Sequence, residues 1–163
     1  MRLIIDFHAP QAAPAQDTAL LRTLALNLAQ ALLRGQYHAN TQHDIHVAVS
    51  SRHPSDVDVL RHAFENVLAA GRFHVYAQPN GADAFSRHSA ATLRAGFLAS
   101  LKPDLVLSMW QPDADAGKLP QVLGVADVAA VLGATRQQQA PLRAAPLVLA
   151  PDEGSAHRLE AAR

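Results

Sequence analysis

The stretch "LRAGFLASLKPDLVLSMW", residues 93–110, decides the fold. Its first half places Leu93, Phe97 and Leu101 at helical intervals, so a helix is expected from about Ser86 to Leu101 with those three side chains turned inward. Pro103 ends it, because proline has no N–H to give to the next turn. The segment after it, "DLVLSMW", is nearly unbroken in apolar residues. A strand with one face in water alternates polar and apolar side chains; a strand apolar on both sides is covered on both, as in a parallel sheet between helices.

The same alternation of short apolar strands and longer helical stretches extends in both directions. Upstream, a strand over Arg2 to Phe7 precedes a helix from about Asp17 that carries Leu20, Leu21, Leu24, Leu28, Ala31 and Leu32 and stops at Gly35. A second strand, "DIHVAVSS", leads through Pro54 to a helix opened by Ser55 and Asp58, with Val57, Leu60, Phe64, Val67 and Leu68 on one face and Gly71 at its end. "RFHVYAQ" reads as a third strand and "PNGAD" as a turn. Downstream of the fourth strand come a polar loop, "QPDADAG", and a short helical turn over Leu119 to Leu123. "DVAAVLGA" is then expected as the fifth strand, "ATRQQQAPLRAAP" as a mobile loop, and "PLVLAP" as the sixth strand. Asp152 and Glu153 cap a last helix that begins at Ser155. The expected fold is α/β: a single Rossmann-like three-layer domain over residues 1–163, with a mostly parallel sheet of about six strands. Sheets of that kind bind ligands beyond the carboxyl ends of their strands.

Composition narrows the function. A length of 163 residues suits one domain, and 49% hydrophobic with only 5% aromatic residues implies a core of aliphatic side chains. Lys plus Arg (14) balance Asp plus Glu (14), which removes the basic field that nucleic acids or anionic membranes select. The absence of cysteine excludes disulfides, thiolate metal sites and a thiol nucleophile. No apolar run reaches the roughly 20 residues of a membrane span, and the N-terminus has no signal-peptide core, so a cytoplasmic soluble protein is expected.

The loop after the first strand contains His8, Pro10, Gln11, Pro14 and Gln16 but no glycine, so it cannot bring backbone N–H groups close around a phosphate. Neither G-x-G-x-x-G nor the P-loop pattern occurs, and no cofactor is expected. Nine histidines are spread over separate elements without metal-ligand spacing, so no metal site is expected. No nucleophile elbow is present and no catalytic residue is assigned. His8 stands just past a strand end, where it either reaches into the crevice or is an ordinary loop histidine. Trp110, followed by Gln111, Asp113 and Asp115, either stacks on a sugar ring with polar groups beside it or packs beneath the neighbouring loop.

The stretches "MRLIIDF", "LRAGFLASLKPDLVLSMW" and "PLVLAPDEGSAHRLEAAR", in that order, resemble the N-terminal half of bacterial glycosyltransferases of the GT-B fold and the family 4 type. The resemblance implies an acceptor-side domain in the synthesis of O-antigen or capsule polysaccharide, with His8, Trp110, Gln111 and Asp113 lining the acceptor cleft. It implies a saccharide acceptor and a separate C-terminal nucleotide-sugar-binding domain as partners, and no transfer by this chain alone. This sequence departs from that pattern in three places. "HAPQAAPAQDTA" replaces a glycine-bearing loop, Leu107 to Met109 occupy the place of a histidine, and "GATRQQQ" replaces a His-Asp pair. Arg163 falls within an expected helix, so either a truncated chain or a very short terminal helix is expected, and the resemblance implies half of a two-domain enzyme. The alternative is a non-catalytic α/β binding or scaffolding module, able to pair as a homodimer.

Overall fold

Each strand carries apolar residues on both of its faces, so each needs cover on both sides. A computed structural model describes residues 1–8, helical positions 23, 26, 27, 30, 31 and 33–35, and residues 43–52, 54–79, 81, 83–109, 120–125 and 128–163. The strands are β1 (Arg2–Phe7), β2 (Asp44–Ser50), β3 (Phe73–Tyr76), β4 (Leu105–Met109), β5 (Gln121–Gly124) and β6 (Leu147–Leu149). The helices are α1 (Pro54–Phe64), α2 (Ala84–Ser100), α3 (Val128–Gly133), α4 (Ala140–Ala144) and α5 (Glu153–Ala162). The six strands form one sheet in the order β3-β2-β1-β4-β5-β6, and every pairing is parallel.

Strand periodicity divides the side chains between two layers. On one face Leu3, Ile5 and Phe7 of β1 and Ile45, Val47 and Val49 of β2 pack with Val57, Leu60 and Phe64 of α1 and with Leu26 and Leu33. Phe7 meets Phe64 edge-on at 5.9 Å, and each such fully buried side chain contributes roughly 1.5–3 kcal/mol. On the other face Ile4, Ala48 and Val106 pack beneath Phe97, Leu98 and Leu101 at the end of α2. A third cluster sets Leu123 and Val125 against Val128 and Val131 of α3, Leu142 of α4 and Leu159 of α5. Helices therefore cover both faces of the sheet, giving the Rossmann-like α/β domain expected from the sequence. Among the described residues, no helix is long and apolar enough to cross a membrane.

Four local expectations change. The buried residues of α2 are Ala90, Arg94 and Leu98, and Leu93 is half exposed, so the inward face is turned toward a stripe that contains an arginine. Residues 121–123, expected as part of a helical turn, belong to β5, whose four residues are all buried. "DVAAVLGA", expected as a strand, contains α3: Val128 and Val131 are buried while Ala129, Ala130 and Leu132 are exposed, a helical spacing that wins over the β preference of valine. Within the expected mobile loop, α4 forms instead, held by the buried Gln139 amide, which donates from Nε2 to the Val131 carbonyl at 2.9 Å.

Candidate functional site

A strand order of 3-2-1-4-5-6 reverses direction between β1 and β4, and sheets of this kind bind ligands beyond the carboxyl ends of their strands at such a switch point. Asp6 and Ser108 sit opposite each other in the β1–β4 register, one residue before the ends of their strands. Because Leu3, Ile5 and Phe7 face α1, the intervening residues, including Asp6, face α2. From α2, Arg94 reaches down to them.

The resulting polar cluster is buried. Arg94 donates from Nε and Nη2 to Asp6 Oδ2, each at 2.6 Å, and from Nη2 to Ser108 Oγ at 3.0 Å. Side-chain exposure is 5% for Arg94 and 0% for Asp6, so this charge pair is shielded from water. Tyr76, at the end of β3, donates its hydroxyl hydrogen to Asp6 Oδ1 at 3.0 Å, while its ring stacks on Phe97 at 5.3 Å. Beside it, Ser50 at the end of β2 donates to buried Gln78 and accepts the Arg52 backbone N–H at 3.2 Å.

His8 lies above this floor, with Nδ1 3.4 Å from the Tyr76 hydroxyl. Burial, followed by the positive charge of Arg94, lowers its pKa to about 4, even though Asp6 pulls the other way. The imidazole is therefore neutral at pH 7. Burial also opposes the charge on Arg94, but the Asp6 carboxylate more than offsets it and the guanidinium pKa is raised. Tyr76 is pushed well above the ordinary phenol value, first by burial and then by Asp6, and remains protonated.

A second polar group occupies the α2-facing side of the sheet at its opposite end. Asp44 accepts from Arg2 Nε at 2.7 Å and pairs with Arg72 at 3.2 Å. His46 Nε2 lies 3.0 Å from the same carboxylate, and His46 Nδ1 lies 2.8 Å from Nε2 of the stacked His74 ring. Burial and then His46 lower the pKa of His74. Among the described residues, no group of three or more histidine, aspartate or glutamate side chains is arranged to hold a metal ion.

Of the residues singled out in the sequence, His8 directly follows β1, with Nδ1 3.4 Å from the Tyr76 hydroxyl. Trp110, Gln111 and Asp113 lie outside the described residues; the strand that leads to them, β4, ends at Met109 beside β1. Sequence reasoning missed Asp6, Tyr76, Arg94 and Ser108. Two signals were available: a carboxylate within the apolar "LIIDF", and an arginine four residues from both Ala90 and Leu98 in the stripe that α2 buries.

These features define the class: a doubly wound, all-parallel α/β domain with a buried polar cluster at its topological switch point. The same fold occurs in a solved Listeria monocytogenes protein assigned as a UDP-N-acetylglucosamine 2-epimerase, with a TM-score of 0.62 and 13% sequence identity. The match covers 99% of this chain and 42% of that one, so this chain spans less than half the length of its structural neighbour. No family model matches the sequence, and no curated protein matches it significantly.

Proposed function

We propose that this chain is the acceptor-side half of a glycosyltransferase-type enzyme, and that its crevice receives a saccharide hydroxyl at His8. The observation that carries this reading is the position of a neutral imidazole at the β1–β4 switch point, above a polar floor whose charges are already paired. A neutral imidazole beside the mutually paired Asp6 and Arg94 suits an uncharged, hydroxyl-rich guest. Trp110, Gln111 and Asp113 are assigned to the same guest, through ring stacking and hydrogen bonds to hydroxyls. Polysaccharide of the O-antigen or capsule type is the proposed product. The nucleotide sugar is left to a second domain or a second chain, and this chain takes no cofactor of its own. The fold shared with a nucleotide-sugar enzyme, over less than half of that enzyme, supports such a division.

A second reading is favoured by the self-sufficiency of the floor. Asp6, Arg94, Tyr76 and Ser108 satisfy one another without a ligand, as in a binding or scaffolding module that performs no chemistry. Both readings are tested by titrating the labelled protein with neutral oligosaccharides and, separately, with UDP-sugars, following amide shifts around residues 6–8 and 106–109. Saturable shifts with an oligosaccharide, lost in His8→Ala, support the acceptor reading. Shifts only with the UDP-sugar move the site to the donor side, and shifts with neither overturn the acceptor reading and favour the module that performs no chemistry. Sugar transfer by the isolated chain would remove the non-catalytic reading.

A further inference from the structure

We infer that Asp44, His46 and His74 form a proton-counting latch on β3: the two imidazoles keep their link through the first proton the pair takes up and release the strand at the second. The argument is a count of hydrogens. Asp44 accepts from Arg2 Nε at 2.7 Å on Oδ2 and from Arg72 at 3.2 Å on Oδ1, and His46 Nε2 lies 3.0 Å from that same Oδ1. The bond from Arg2 holds the carboxyl below its usual pKa, so Asp44 is ionised and only accepts. His46 Nε2 therefore carries a hydrogen. Its other ring nitrogen, Nδ1, meets His74 Nε2 at 2.8 Å, a gap with room for one hydrogen and not for two. In the neutral pair His74 Nε2 donates across it. One added proton still leaves a single hydrogen in the gap, whichever ring donates it. A second sets N–H against N–H, and the link has to open.

The neighbouring charges act in the same sense. β1 contributes Arg2, β2 contributes Asp44, the turn before β3 contributes Arg72, and α2 meets His74 with the uncharged Phe97 ring at 6.3 Å. Asp104, just after α2, is engaged by the Arg2 backbone N–H at 2.6 Å. Asp44 is thus already shared by two guanidiniums and does not balance a second imidazolium; burial and His46 lower the pKa of His74 accordingly. β3 is a four-residue strand at the end of the sheet order, paired with β2. Strand alternation puts His74 and Tyr76 on one face, both against Phe97. Freeing His74 loosens the strand that aims Tyr76 at Asp6 Oδ1, so acid sensed beside β2 is read at the buried polar cluster. This holds whatever the switch point binds.

The test is backbone hydrogen exchange of the full chain between about pH 7.5 and 4.5, each rate taken relative to an unstructured peptide at the same pH. The opened strand binds one proton more than the closed one. Protection of residues 73–76 is therefore expected to fall by about tenfold per pH unit below the second step, while that of β4 and β5 holds. In His74→Gln the fall is expected to vanish, because the side-chain amide turns either to donate to His46 or to accept from it and never carries charge. His8 is present in both proteins, so its own protonation cancels in the comparison. An unchanged fall in His74→Gln overturns the inference, as does protection that stays level in the unmodified protein or is lost equally from all strands. If His74→Gln does not fold, imidazole nitrogen spectra of the unmodified protein decide. Two separate protonation steps for the pair, with β3 amide shifts following the second alone, support the latch; a single step, or β3 shifts that follow the first, overturn it.

Discussion

Asp6 and Arg94 show how much one buried pair constrains. Two unit charges out of water cost several kcal/mol each unless they meet at close range with their remaining hydrogen-bond sites filled, and here Tyr76 and Ser108 fill them. Arg94→Leu is therefore expected to destabilise the protein by about 3–5 kcal/mol, because it strands the Asp6 carboxylate, whereas Asp6→Leu combined with Arg94→Leu recovers much of that loss. Urea unfolding of the unmodified protein and the two variants measures both values. His8 gives the pH dependence. Its pKa is about 4 in the folded protein and 6.5 when unfolded, so between these values the unfolded chain binds the extra proton. Stability is expected to be full above pH 6.5, to fall on acidification by up to about 3 kcal/mol, and to level off below pH 4 as far as His8 is concerned. His74, also lowered, acts in the same direction. Unfolding of His8→Gln across this range should show a shallower acid slope; an identical slope would assign the effect elsewhere. None of these partnerships could be read from spacing, since Asp6 lies 88 residues from Arg94 and 70 from Tyr76. The odd residues in apolar surroundings were visible; their partners were not.

At the scale of elements, β1, β2, β4 and α1 were legible because each repeats its period, and the short β3 and β6 because turn or proline residues bracket an apolar core. α3 and β5 are six and four residues long, too short for valine-rich stretches to reveal whether they repeat every two or every three to four positions. Burial on both sides makes "QVLG" a strand, and contact with β6 and α5 makes "VAAVLG" a helix. Caps were easier, being local chemistry. Asp152 accepts the Ser155 backbone N–H at 2.8 Å and opens α5 as expected; Asp83 accepts that of Ser86 at 2.9 Å and opens α2. Asp152→Ala is expected to lower the denaturation midpoint with an unchanged slope, through loss of the cap on the Ser155 N–H. Gly71 stands at φ 77° in the turn before β3, so Gly71→Ala should cost a further 1–2 kcal/mol, roughly, without disturbing the crevice.

For the molecule as a whole, the two faces of the sheet have different tasks. The side under α1 is a continuous apolar core around β1 and β2. The side under α2 mixes a smaller apolar patch with polar groups at either end. A ligand that binds only the folded crevice adds its linkage free energy to that structure. A saccharide at about 100 times its dissociation constant is thus expected to raise unfolding stability by about 2.7 kcal/mol in the unmodified protein and to have little effect on His8→Ala. Thermal unfolding with and without the sugar measures this. With equal numbers of acidic and basic residues, 14 of each, the chain is also expected to pass through an immobilised-heparin column at moderate salt.

The register of the central strand also carries a kinetic consequence. β1 is synthesised before every other strand, yet it pairs with β2 and with β4, and Arg2 alone reaches across 102 positions to Asp104. During translation this apolar segment must wait, without its second neighbour, until β4 has left the ribosome. Closing a loop of that span is slow, and an unpaired apolar ribbon invites self-association meanwhile. Refolding yield should therefore be governed by dilution and chaperone supply as much as by the final free energy.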